Sequence, residues 1–280
     1  MNFNLNCSAK EKIIIVAHRG VFGGNIPCNT MAAYEIALKQ GADMLETDVN
    51  ATADGKLICF HPGMEKEHLA KKVSLPQMPW SEVSKLRFAN IDDHVTQFGI
   101  LTFDDFLETF KDRCFINVDK FWDNPEAIYQ TVKRHGMLDQ IVVKAPPTDG
   151  VLRVLEELAP ELAYMPVVRV KFDGHEELMK KNVNYVGIEA LFFDDSDEIV
   201  SEAFIDRVHR DGKLMWVNSI IYDYKEQIAA GHSDDTALTE SEELGWGWLA
   251  DRGFDLIQTD WPMMLIDYLK RSGKYYKKTS

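Results

Sequence analysis

The sequence predicts an α/β chain folded as one (β/α)8 barrel with a small insertion after its second strand. Three observations predict it. Short apolar runs rich in β-branched residues alternate with amphipathic helical patterns from one end to the other. The runs are continuously apolar rather than alternating, which suits a parallel sheet buried on both faces. About eight strand–helix units also fall within the ~250 residues that such a barrel uses. A doubly wound open sheet is the competing architecture. No Gly-x-Gly-x-x-Gly follows the first strand, which weakens its nucleotide-binding form.

In chain order, strands are expected at residues 13–18, 44–49, 115–119, 141–144, 163–170, 185–190, 213–217 and 256–259. Helical patterns lie between them at 29–40, 125–135, 151–158, 196–209 and 238–250. Gly41, Gly136, Gly212 and Gly253 read as C-terminal caps. One stretch breaks the rhythm. Asp54-Gly55 signals a hairpin that returns through residues 57–61. Residues 62–99 then carry no clear strand before a helix opens at Thr102-Phe103-Asp104-Asp105. The expectation is one domain over residues 1–280, with a cap-like insertion at about 62–100 beside the barrel mouth. The tail from Lys274 reads as a solvated C-terminus.

Composition bounds the function. The 280 residues are 45% hydrophobic, 27% charged and 11% aromatic, ordinary values for a globular protein. Lys+Arg 31 against Asp+Glu 45 leaves a formal charge of −14. That balance argues against a nucleic-acid partner, and it means an anionic substrate needs a local cation. Cys7, Cys28, Cys59 and Cys114 form no CxxC, so reduced thiols are expected. No run is long enough for a transmembrane segment. The opening residues have neither a basic n-region nor an apolar h-region. The expectation is therefore cytoplasmic as encoded, or periplasmic or secreted if a leader has been removed. Oligomeric state is not legible.

Barrel enzymes place their chemistry at the C-terminal ends of strands. The first strand ends in His18-Arg19-Gly20, and the second carries Glu46-Thr47-Asp48. The hairpin returns with Cys59-Phe60-His61, the third strand carries Asn117-Val118-Asp119, and the fourth ends at Lys144. Period two puts Glu46 and Asp48 on one face. Two carboxylates there repel unless a cation or proton lies between them, and an isolated pair would more often face solvent. Met44, Leu45 and Val49 make this a buried strand instead, where unpaired carboxylates cost several kcal/mol. With Asp119 aimed at the same point, three oxygen ligands select one hard divalent metal ion, Mg2+ or Ca2+, over zinc.

A lone strand-end histidine is usually structural. His18 is followed by Arg19, a glycine and the helix opened by Asn29-Thr30, a plausible anion cradle. His61 ends the arm paired to the carboxylate strand. The remaining histidines fall in helical or loop patterns. Two imidazoles, a metal, an arginine and no activated serine describe acid–base phosphoryl transfer on a small-molecule phosphodiester. No covalent intermediate is expected. A neighbouring substrate hydroxyl is favoured over water as the nucleophile, because it is held beside phosphorus.

These residues resemble the glycerophosphodiester phosphodiesterase family. The resemblance runs through His18-Arg19-Gly20, Cys28-Asn29-Thr30, Gly41-Ala42-Asp43, Glu46-Thr47-Asp48, Thr52-Ala53-Asp54-Gly55, His61-Pro62 and the closing Gly253–Pro262 stretch. It implies a TIM barrel, His18 and His61 as the catalytic pair, and Glu46, Asp48 and Asp119 as metal ligands. The implied products are an alcohol and glycerol 3-phosphate. Three departures stand out: Cys28 replaces a glutamate, Pro62 replaces an aspartate, and Asp119-Lys120-Phe121 replaces Glu-x-Lys. Period two turns Lys120 away from the metal and Phe121 inward, which makes Lys144 the candidate phosphate-binding lysine. Arg19 and Asn29 are further phosphate-binding candidates, and Trp216 a pocket-shaping one. The alternatives are a phospholipase D- or sphingomyelinase D-like enzyme using Phe22, Met64, Met78, Trp80 and Phe88 as a lipid rim, or a binding protein that has lost catalysis. Those five side chains serve equally well as the core of a cap.

Overall fold

The computed structural model describes residues 3–222 and 224–277. Twelve strands form: β1 (Ile14–Ala17), β2 (Met44–Ala51), β3 (Leu57–Cys59), β4 (Arg87–Ala89), β5 (Val95–Gly99), β6 (Leu101–Thr102), β7 (Phe115–Asp119), β8 (Ile141–Ala145), β9 (Ala163–Arg169), β10 (Gly187–Leu191), β11 (Leu214–Asn218) and β12 (Leu256–Thr259). Eight of them pair in parallel in the order β1-β2-β7-β8-β9-β10-β11-β12, and β12 returns to β1. The sheet is closed: this is a TIM barrel, as expected, and all eight predicted strands are its staves.

Period two divides the strands cleanly. Ile15, Leu45, Ile116, Val143, Ile188, Val217 and Ile257 face the surrounding helices and join the larger core. Met44, Phe115, Val142, Met165, Trp216 and Leu256 fill the barrel's interior. Two residues further along, the inward phase turns polar, with Glu46, Asn117, Lys144, Asn218 and Gln258, all at most 5% exposed. Burying that many polar groups is costly unless they satisfy one another or a ligand.

The hairpin expected at Asp54-Gly55 is present as antiparallel β2–β3, extended by β6. The helix expected at Thr102 spans Phe103–Phe110, capped by the Thr102 side chain. Two expected helices are broken. Residues 196–209 divide at Ser201, whose side chain caps Glu202–Arg210 after a 3-10 turn, Glu198–Val200. Residues 238–250 contain a π-helical turn, Glu243–Gly247, between Asp234–Thr239 and Trp248–Arg252.

Residues 62–99 are not strandless. β4 and β5 form an antiparallel hairpin with a bulge, preceded by short helices at Glu65–Leu69 and Trp80–Val83. Ile58, Phe60, Leu69, Leu75, Val83, Leu86, Phe88 and Ile100 make a separate small core, with Met64, Met78 and Trp80 packed against it. Four of the five candidate lipid-rim residues are thus cap core, and only Phe22 is exposed, at 44%. The tail is also anchored rather than solvated. Tyr275 is buried, Lys274 pairs with Glu243 and Asp251, and Lys277 bonds Asp255. Residues 278–280 lie outside the described residues. Among the described residues, no helix is long and apolar enough to cross a membrane.

Candidate active site

The first strand–helix loop is built by backbone conformation. Arg19 and Asn29 both adopt left-handed φ, 55° and 54°. Gly20 at φ 80° lies so close to the helix Met31–Lys39 that a Cβ would come within 2.6 Å of the Ala33 backbone. Only glycine fits there. This turn lets the Arg19 N–H donate to Glu46 Oε2 at 2.9 Å while its guanidinium Nε lies 2.8 Å from Asp48 Oδ2.

Asp48 is the centre of the site. It is fully buried, and its register partner on β7 is Asp119. Oδ2 accepts from Asn29 Nδ2 at 3.0 Å, and Asn29 Oδ1 in turn accepts from the Tyr34 hydroxyl at 2.7 Å. Asn29, expected to touch phosphate, uses one Nδ2 hydrogen to orient this carboxylate. Asp48 Oδ1 is buried with no hydrogen-bond partner. Glu46, Asp48 and Asp119 each bring one oxygen within 4.8 Å of the others.

Burial first, then the Asp48 charge, pushes Glu46 up to about 7. Burial would raise Asp119 too, but Lys120 and Lys144 hold it low. Buried Glu46 and Asp48 and half-buried Asp119 lie against the Arg19 and Lys120 cations. An all-oxygen donor set with an orphaned carboxylate oxygen fits a hard divalent ion.

Both histidines reach the cluster. His18 is 6% exposed; its Nδ1 lies 2.8 Å from Asp260 Oδ1, and its buried Nε2 has no partner. His61 Nδ1 lies 2.9 Å from the Pro62 carbonyl, so Nδ1 carries the donated hydrogen and Nε2, 4.0 Å from Asp48 Oδ1, is free. Burial lowers the His61 pKa. The carbonyl of Pro62 thus fixes the His61 tautomer without an acidic side chain at that position.

Lys120 is placed differently from the period-two expectation. β7 stops at Asp119, and Lys120 takes a left-handed φ of 60°. The reversal brings its ammonium 2.8 Å from Asp119 Oδ2 and sends Phe121 into the apolar core outside the barrel. Lys144 stays inside the barrel. Its ammonium donates to Gln258 Oε1 at 3.1 Å, lies 3.3 Å from Glu189 and rests 4.3 Å from the Trp216 ring centre. Trp216 is fully buried and donates to Asn218, so it supports Lys144 as a floor.

Sequence reasoning missed Asp260, Lys120 and Tyr222. Asp260 follows Gln258 in the same inward phase. The Tyr222 ring lies edge-on to His18 at 5.9 Å. No spacing in the chain points to Tyr222.

A family profile described as a domain of unknown function matches residues 164–269. A probable glycerophosphodiester phosphodiesterase of Mycobacterium tuberculosis is 53% identical over 47 residues, 17% of each chain. The glycerophosphodiester phosphodiesterase of Bacillus altitudinis is 57% identical over 47 residues, 17% of this chain and 19% of its own. The chain thus aligns with less than a fifth of these curated relatives. Uncharacterized YqiK of Bacillus subtilis matches more of the chain: 27% identity over 156 residues, 53% of this chain and 63% of its own.

In three dimensions the likeness is almost complete. A glycerophosphoryl diester phosphodiesterase from Parabacteroides distasonis superposes with a TM-score of 0.77 at 16% identity, covering 96% of this chain and 93% of its own. An Oleispira antarctica phosphodiesterase in complex with the product sn-glycerol-3-phosphate gives 0.71 at 19%, covering 92% and 97%. These likenesses establish the fold that the chain shares with structures so described.

Proposed function

We propose that the protein is a metal-dependent phosphodiesterase that cleaves glycerophosphodiesters to an alcohol and glycerol 3-phosphate. The observation that carries this reading is the convergence of Glu46, Asp48 and Asp119 beside two histidines whose Nε2 atoms make no hydrogen bond. Glu46, Asp48 and Asp119 would hold one divalent ion, Mg2+ or Ca2+, which when bound neutralises charge on the phosphate oxygens.

Arg19 and Lys120 supply positive charge beside the carboxylates and anchor the anion against a net charge of −14. His18, with Nδ1–H directed to Asp260, presents a basic Nε2. His61, with Nδ1 committed to the Pro62 carbonyl, presents the second. One, neutral, removes the proton from the attacking oxygen at Nε2, and the other, entering as the imidazolium with Nε2 protonated, supplies one to the leaving oxygen. The attacking oxygen is the substrate's own neighbouring hydroxyl, which displaces the alcohol and closes a cyclic phosphate; water then opens that ring to glycerol 3-phosphate, and no covalent enzyme intermediate forms. Burial pushes the Cys28 thiol up to about 12, which keeps it protonated and supports that reading.

Residues 62–100 act as a cap on a single barrel domain, and the four free thiols suit a reducing compartment. The test is release of glycerol 3-phosphate from a small panel of diesters, with and without chelator. A lipid-directed phospholipase D reading would need an apolar rim, and the packing of Met64, Met78, Trp80 and Phe88 into the cap core disfavours it.

A further inference from the structure

One quadrant of the barrel mouth differs from the rest. At the level of Glu189 the polar ring is interrupted by its register partner on β9, Val167. Above Val167, a cavity of about 530 Å3 opens between the ends of β7, β8 and β9, walled by Trp122, Pro146, Pro147, Val167, Phe172 and Arg169. It adjoins the site through one side chain. The Lys120 ammonium lies 2.8 Å from Asp119 and 5.3 Å from the centre of the Trp122 ring. Its volume suits a small ligand.

The charge in this cavity is positive. Arg169 continues the inward phase of Met165 and Val167, and its guanidinium lies 5.7 Å from the Phe193 ring centre. Arg169 is exposed, and among the described residues no carboxylate lies within 4 Å of it. Lys171 also lines the cavity and is partly neutralised by Asp173 at 3.3 Å. Val170, between Arg169 and Lys171, has φ 61°, a conformation that a β-branched side chain strongly disfavours. It is held by hydrogen bonds from its N–H to Leu191 and from Ile199 to its carbonyl. These two hydrogen bonds hold the strained residue that follows Arg169 on the rim.

We propose that this cavity receives the alcohol half of the diester and that Arg169 selects alcohols bearing a negative charge, a reading that rests on the phosphodiesterase function above. Trp122 would otherwise suit a quaternary ammonium, but Lys120 already lies against its ring, and Arg169 and Lys171 add like charge. The apolar walls take the body of the alcohol, and the unpaired guanidinium takes its phosphate or carboxylate.

The test compares kcat/KM of the metal-loaded enzyme on glycerophosphocholine, glycerophosphoinositol and glycerophosphoinositol 4-phosphate. The predicted order rises from the cationic to the neutral to the doubly charged alcohol. The last step is about three- to fivefold at low salt and shrinks as salt is added, as expected for a partly exposed pair. Arg169→Gln should flatten the ratio between the last two substrates, and Arg169→Lys should keep part of it. Cleavage of all three at equal kcat/KM, or a ratio untouched in Arg169→Gln, overturns the inference alone. Failure to cleave any of them overturns the phosphodiesterase reading, and the inference falls with it.

Discussion

His18 Nδ1 lies 2.8 Å from Asp260 Oδ1 across the pairing of β1 with β12, where the first and last strands close the barrel. The carboxylate takes the Nδ1 hydrogen and leaves Nε2 as the reactive nitrogen, buried and unbonded. Closure of the barrel therefore sets the tautomer of a residue eighteen positions from the start of the chain. Asp260→Asn should keep the fold but lose this tautomer control, lowering kcat by about 10²-fold or more. His18→Ala should cost at least as much. Steady-state kinetics beside melting curves separate this from misfolding; an Asp260→Asn enzyme with wild-type kcat contradicts the assignment.

The carboxylate cluster predicts a metal-dependent stability. A ligand held only by the folded state stabilises by about 2.7 kcal/mol at a hundredfold excess over Kd. Mg2+ or Ca2+ should raise the melting temperature of chelated protein, and Asp119→Asn should weaken that response without lowering the chelated melting temperature by a comparable amount. Calorimetric titration of both proteins checks it.

Thiol reactivity follows burial. Cys28, Cys59 and Cys114 are buried, and burial pushes each thiol up to about 12, whereas Cys7 is exposed. A chromogenic disulfide reagent at pH 8 should count one fast thiol in the native protein and four after denaturation. A rapidly modified Cys28 would contradict the electrostatic description of the site.

The opposite end of the barrel carries a pH-dependent contribution. Asp255 is buried, accepts from the Met215 N–H at 2.7 Å and faces His209 Nε2 at 2.9 Å, with Lys277 beside it. Burial alone would raise its pKa, but His209 and Lys277 outweigh it and hold it below the ordinary carboxylate value. Its stabilisation is therefore complete above about pH 4, the unfolded value, and is lost as pH falls through the folded pKa. Asp255→Asn should destabilise at pH 7 by about 2 kcal/mol, the scale of a hydrogen bond to a charged group, and by clearly less near pH 3. Urea midpoints at the two pH values measure this.

The barrel was legible because its strands hold continuous apolar runs, such as residues 13–17, that few other contexts bury. The hairpin β4–β5 was not, because Arg87, Thr96 and Gln97 break the apolar pattern of its short strands. Glu46, Asp48 and Asp119 could be read from spacing, since period two holds within a strand. Lys120 could not, since one left-handed residue reverses the phase where the strand ends. Asn29, Trp216 and Asp260 show the further limit. Which polar groups become saturated, and which remain free, is decided by partners far apart in the chain.

The most direct test of the central claim is the rate of glycerol 3-phosphate release from glycerophosphodiesters by wild-type and Glu46→Gln protein, each with saturating divalent ion and with excess chelator. Turnover by the wild type with the ion, abolished by chelation and lowered by at least 10²-fold in Glu46→Gln, is the predicted result. Undiminished release in excess chelator, or no release from any diester under metal-replete conditions, would contradict it.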